Sequence, residues 1–136
     1  MEIYRTRIKP IPGTNYSEIY PRAWSLYKQI ASKTRRRPYI RSAYFNKEKV
    51  FLDLFWEHMR QKNLRDRARR LRYYPCALDL VVHSHTSPTS KQNPNRLSET
   101  FHRFAGISEN GEVFFVQIKK IGKRGGKHLI SIFPPD

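Results

Sequence analysis

The sequence predicts an α+β fold, with N-terminal helices packed on a C-terminal antiparallel sheet of three to four strands, and three observations carry that expectation. Apolar residues recur at helical spacing in two stretches, residues 21–34 and 46–62. The segment 84–95, "SHTSPTSKQNPN", has two prolines and no apolar side chain, and so reads as a loop. Beyond it, apolar and polar residues alternate around Asn110-Gly111. The resulting division of a single domain, 1–136, is a mainly helical half over 1–83, a loop over 84–96 and a sheet half over 97–136.

The first stretch, "EIYRTRIKPIPGTNY", holds Ile3 and Ile8 among charges and then Pro10, Pro12 and Gly13, the pattern of a short strand or arm ending in a turn. In "PRAWSLYKQIASKT", Pro21 suits a first helical position, and Ala23, Leu26, Tyr27, Ile30 and Ala31 fall at helical spacing. Pro38 ends that helix, leaving Arg35, Arg36 and Arg37 in a loop that is either a phosphate clamp or simply solvated. Asn46 is placed as the N-cap of a second helix whose stripe is Val50, Phe51, Leu54, Phe55, His58 and Met59. "LRDRARRLRYY" continues with Leu64, Ala68 and Leu71 among arginines, and Pro75 opens a last helical segment, "PCALDLVVHS". Arginines at such density either meet phosphate or form a solvated face.

Among 136 residues, 27 Lys+Arg stand against 11 Asp+Glu, a formal net charge of +16. Such a field attracts polyanions and raises encounter rates with them, which makes nucleic acid the leading partner class. No run of 18 or more apolar residues exists, and no Lys-rich amphipathic helix with a clean apolar face, so a membrane partner is not expected. The first residues lack the apolar core of a signal peptide. The single cysteine, Cys76, admits no internal disulfide and no thiolate cluster, consistent with a reducing, cytoplasmic setting.

The chemistry concentrates in residues 98–133. An Asn110-Gly111 type I′ turn sets Ile107 against Phe114, Ala105 against Val116, Arg103 against Ile118 and Phe101 against Lys120 as the core face. The other face then carries Gly106 beside Phe115, Phe104 beside Gln117 and His102 opposite Lys119. Returning through the glycine-rich "GKRGG", the chain pairs Ile121 with Lys127, Leu129 with Lys119, Ser131 with Gln117, Ile130 with Ile118 and Ile132 with Val116. A one-residue slip would exchange the faces wholesale.

In this register His102, Gln117, Lys119 and Ser131 share a face with Phe104, Phe115 and Phe133 at its edges. Like-charge repulsion from Lys119 lowers the proton affinity of His102, leaving a neutral base near pH 7. Lys119 would hold a scissile phosphate, Gln117 and Ser131 would bond the same group, and the rings would stack exposed bases. Arg103 is held able to reach round from the core side near the sheet edge. Lys120, Lys123, Arg124 and Lys127 are placed on the RNA backbone, and His128 is the second-choice catalytic histidine. The alternative is that these are ordinary polar residues on a wet sheet face.

Two or more helices followed by an antiparallel sheet ending in a Ser-x-aromatic strand, with "HRFAG", "FFVQIKK" and "LISIFPPD", resemble the barnase, EndoU, colicin-type and RelE-like ribonuclease superfamily. The resemblance covers the C-terminal third to half. It implies a metal-independent endoribonuclease of toxin type, cutting tRNA or mRNA by attack of the ribose 2′-hydroxyl on the adjacent phosphate. It assigns His102 as base, Lys119 as phosphate-binding cation, Ser131 as terminal-strand hydroxyl and Phe133 as the aromatic two residues beyond. It implies no cofactor, and as partner an acidic antitoxin or immunity protein covering the basic cleft. The rival class is a non-catalytic nucleic-acid-binding protein. His58, Cys76, His83 and His85 fit no standard metal spacing, and Asp79 sits among apolar neighbours as a helix-face or capping residue.

Overall fold

The computed structural model describes residues 2–122 and 125–136. In chain order the elements are β1 (Ile3–Arg5), α1 (Tyr16–Ala31), β2 (Tyr39–Ser42), β3 (Glu48–Phe51), α2 (Asp53–Met59), α3 (Leu64–Leu71), α4 (Tyr74–His83), β4 (Thr89–Gln92), β5 (Glu99–Ile107), β6 (Val113–Ile121) and β7 (Lys127–Phe133). The seven strands form one sheet in the order β1-β5-β6-β7-β3-β2, with β4 also paired to β5. The sheet is mixed, since β1 runs parallel to β5 and β3 parallel to β7. This overturns the expected antiparallel sheet of three to four strands. β1 falls in the stretch read as a short strand or arm, β2 in the stretch between the two expected helices, β3 in the stretch read as the second helix and β4 in the stretch read as loop.

Each extra strand has a local cause. Asn46 (φ 54°) and Lys47 (φ 64°) are both left-handed, and Lys47 N–H donates to Ser42 O and Glu48 N–H to Phe45 O. That is a hairpin turn between β2 and β3, so Asn46 bends the chain instead of capping a helix. The second helix is therefore shortened to α2, while Val50 and Phe51 belong to β3. In β4, Ser90 and Gln92 alternate with Thr89 and Lys91; with no apolar residue there, the period of two carries no hydrophobic signal. Pro21 lies inside α1, beyond the helix start.

The helices lie on one side of the sheet. Ile19, Ala23, Leu52, Phe55, Trp56, Leu71, Tyr74, Ala77 and Leu80 from that layer meet Phe104, Phe114, Val116, Ile118, Leu129 and Ile132 of the sheet in one buried cluster. Because β3 pairs with β7 only at Lys127 and His128, the rest of β7 is an unpaired edge, which α2 and α3 cover. His58 Nδ1 lies 3.3 Å from Ile130 O, and Arg70 reaches Ser131. β1 is tied to α4 through Asp79, which accepts from Tyr4 (2.8 Å) and Thr6 (2.6 Å). Asp79 is thus a structural anchor on the helix face, as its setting suggested.

The central hairpin turns through three loop residues, not two. Gly111 N–H donates to Ser108 O and Ser108 N–H to Glu112 O, while Gly111 has φ 87°; a type I turn at Glu109-Asn110 is closed by a left-handed glycine. The pairing becomes Ile107 with Val113, Ala105 with Phe115, Arg103 with Gln117, His102 with Ile118 and Phe101 with Lys119. Relative to the expected register β5 has slipped by one residue. Its faces exchange while those of β6 stay as expected.

Candidate nucleic-acid interface

The slip decides which side chains meet. His102 faces the helix layer. Its ring packs edge-on against Phe45 at 5.0 Å, and its Nδ1 is 2.7 Å from Ser90 Oγ. Burial, then Lys127 and Lys120, push its pKa below the ordinary histidine range. The expected direction is therefore reached with other lysines, on the other side of the sheet from Gln117 and Ser131. Phe104 is also on that side and fully within the core. Lys127 is buried, ion-paired with Glu48 and set over the Phe45 ring at 4.9 Å, so it is spoken for. Lys120 pairs with Thr100 and Lys127 on the same inner side. Lys123 and Arg124 lie outside the described residues.

Gln117, Lys119, Ser131 and Phe133 do share the outer face. A bulge between Gln117 and Ile118 leaves Gln117 opposite Ser131, puts Leu129 opposite Ile118 instead of Lys119, and sets His128 opposite Lys119. Ile130, expected opposite Ile118, is the residue left without a partner. A histidine–lysine cross-strand pair therefore exists, with His128 in the place expected for His102.

Two parallel rows cross this face. One runs Thr89, Arg103, Gln117, Ser131 through β4, β5, β6 and β7. Arg103 Nη2 donates to Gln117 Oε1 at 3.4 Å, and Arg70 Nη1 donates to Ser131 Oγ at 3.0 Å. Both guanidiniums lie over the Phe133 ring, at 5.2 and 5.7 Å. Four side chains with hydrogen-bond donors thus converge on one point of the sheet; of the two guanidiniums, Arg70 is ion-paired with Asp66 at 3.2 Å, and Arg103 has no acidic partner among the described residues. The second row runs Lys91, Phe101, Lys119, His128, Phe51, Tyr39 through six strands. At the ordinary spacing of neighbouring strands it is roughly 24 Å long. Thr89, Lys91, Phe101, Arg103 and Gln117 line a cleft of about 280 Å³ where the rows meet β4.

Two acid–base groups belong to the face. Glu99 is buried and holds Lys119 Nζ at 3.3 Å, with Asn93 donating at 3.0 Å. Burial works against ionisation of Glu99, yet the bonds from Asn93 and Lys119 outweigh it and hold the carboxyl below its ordinary range. Glu99, which is not among the expected site residues, is therefore a carboxylate on this face. His128 is buried against Phe51, ring centroids 5.5 Å apart, and its Nδ1 has no hydrogen-bond partner. Burial, then Arg37, with Lys119 adding to them against an opposing Asp53, lowers its pKa.

Sequence reasoning missed Lys91, Glu99, Phe51, Tyr39 and Arg70 as members of this face, and it put Phe101 in the core. One signal was legible: "YIRS" and "EKVF" alternate about Asn46-Lys47, placing Tyr39, Arg41, Lys49 and Phe51 on one side and Ile40 and Val50 on the other. Nothing in the sequence alone marks Arg70 as the arginine that turns toward Ser131. Among the described residues no group of three or more His, Cys, Asp or Glu could hold a metal, and no helix is long and apolar enough to cross a membrane. Comparison of the chain with family models, with curated proteins and with solved structures finds no match.

Proposed function

We propose that the chain binds single-stranded RNA across the outer face of its sheet. The observation that supports this reading is the row from Lys91 to Tyr39, in which Phe101 lies between two lysines and three rings, His128, Phe51 and Tyr39, follow, on a side of the sheet that no helix covers among the described residues. Rings stack bases whatever their sequence, and cations beside them neutralise the backbone. Arg103, Arg70, Gln117 and Ser131 provide a cradle of hydrogen-bond donors for one phosphate. A solvated sheet face is ordinarily polar without half-buried rings; here Phe101, Phe115, Phe51 and Tyr39 are all half-buried. Fluorescence anisotropy with a short single-stranded RNA tests it: Arg103→Ala should weaken binding about tenfold or more, the worth of a lost charge-assisted contact. Unchanged affinity in that variant sinks the reading.

A second reading, that the bound strand is also cut, is favoured by the Lys119–His128 pair beside the cradle. The ribose 2′-oxygen would bond to phosphorus as the P–O5′ bond breaks, His128 would take the 2′-hydroxyl proton, the departing 5′-oxygen would take a proton from water, and Lys119, held at 3.3 Å by Glu99, would share its charge with the phosphoryl oxygens. The products would end in 2′,3′-cyclic phosphate and form in the presence of EDTA. His128→Ala should stop the cutting while binding persists; intact RNA after prolonged incubation with wild-type protein leaves binding alone.

A further inference from the structure

The outer-face row ends at β2, an edge strand, beside the basic segment 33–37. Lys33, Thr34, Arg35, Arg36, Arg37, Tyr39, Lys49 and Phe51 line a cavity of about 600 Å³ between the end of α1 and the β2–β3 hairpin. One cation in it is neutralised: Arg37 forms a two-point fork with Asp53, at 3.0 and 2.9 Å, and its guanidinium lies 4.7 Å over the Phe51 ring. The fork fixes that plane as part of the wall. Tyr39 meets Phe51 edge-on at 6.2 Å, and Lys49 Nζ sits 4.6 Å over the Tyr39 ring. Lys33, Arg35, Arg36 and Lys49 have no acidic partner among the described residues.

Four exposed cations without acidic partners around one cavity attract anions, and a doubly charged anion is held more strongly than a singly charged one. An internal phosphodiester carries one negative charge. A terminal phosphate carries about 1.5 to 2 at pH 7 and three acceptor oxygens. The Tyr39 ring already carries Lys49 at 4.6 Å and Arg41 at 5.5 Å, so the exposed side of the Arg37 plane, backed by Phe51, is the surface on which the adjoining base can stack. We propose that this cavity binds a nucleotide bearing a terminal phosphate, at the end of an RNA strand or free, so that the sheet face recognises a phosphorylated end. The proposal rests on the RNA-binding reading for its strand-end form.

The test uses the full chain and short 2′-O-methylated RNAs, which cannot be cut by 2′-hydroxyl attack, bearing a 5′-phosphate, a 3′-phosphate or hydroxyls at both ends. One phosphorylated strand should bind about tenfold tighter than the unphosphorylated one. Arg35→Gln combined with Arg36→Gln should erase that gain and leave the unphosphorylated strand within about twofold, because surface charges outside a built contact contribute little. Equal affinity for all three strands, or a gain that survives in the double variant, overturns the proposal. Displacement of the phosphorylated strand by adenosine 5′-monophosphate, lost in the double variant, supports it and extends it to free nucleotides. Equally good displacement by inorganic phosphate leaves no role for base stacking and overturns the nucleotide part. Arg103→Ala reads the other hypothesis separately: if it changes nothing while the end preference stands, RNA binding across the sheet fails and the terminal site survives as a nucleotide site.

Discussion

Arg103 and His102 are consecutive residues on opposite faces of β5, and exchanging their roles is the main consequence of a one-residue shift. Arg103→Ala should lose about tenfold or more in RNA affinity, whereas His102→Ala should leave RNA affinity and any cleavage within about twofold, since its ring sits against Phe45 and Ser90 on the helix side. Loss of cleavage in His102→Ala with RNA binding intact would return the chemistry to the inner face. Both His102 and His128 have pKa values below the ordinary range, chiefly through burial. The unfolded chain then takes up protons at about pH 6.5 and the folded chain only below it. The stability involved is fully present above that value and is lost as pH falls through the folded pKa values. Urea midpoints should accordingly drop between pH 7 and pH 5, and His102→Gln should flatten part of the fall; a midpoint independent of pH in the wild type rules this out. Cys76 is buried and its thiol is pushed up to about 12, so it should react with thiol reagents only on unfolding.

At the scale of elements the two hairpins make opposite uses of similar residues. In β5–β6, Asn110 keeps a negative φ and Gly111 alone turns left-handed; in β2–β3, Asn46 and a lysine both do. A left-handed conformation costs a residue with a Cβ about 1–2 kcal/mol, against about 0.4–1 kcal/mol of extra unfolded-state entropy that glycine brings, so Lys47→Gly should stabilise the protein by about 0.5–1 kcal/mol, read as a raised thermal midpoint. No gain there would mean that Lys47 is held by more than its turn. Gly106 has another function: a Cβ added to it would collide with the Phe114 ring packed over it on β6. Gly106→Ala should therefore cost about 1–3 kcal/mol in denaturant titration, the ordinary penalty of overpacking a core, by forcing Phe114 off its site. The bulge at Ile130 belongs to the same scale. It keeps Ser131 beside Gln117 while turning Leu129 into the core, and the edge it leaves is covered by His58 and Arg70.

For the whole molecule, a net charge of +16 explains attraction to any polyanion, but its distribution makes the face specific. A single strand contacting about four phosphates across the row should show log affinity falling with log salt at a slope of roughly −3; a slope near zero would remove phosphate contacts from the account. The sequence by itself determined the charge and the hairpin position. It also determined the core faces of β6 and of the C-terminal end of β7, and the companionship of Gln117, Lys119, Ser131 and Phe133, because period-two alternation of apolar residues needs no tertiary information. It determined too little about β5, where His102, Phe104 and Gly106 alternate with Phe101, Arg103 and Ala105 and either set passes as a core face. Only the tertiary structure decided that register, through a three-residue turn and the room above Gly106 for Phe114. The same holds for the strands with weak hydrophobic signal, β4 with none and β2–β3 with a pattern that also fits a helix. Their places follow from the unpaired edges of β5 and β7, whose backbone donors and acceptors are satisfied by pairing with chain from distant parts of the sequence.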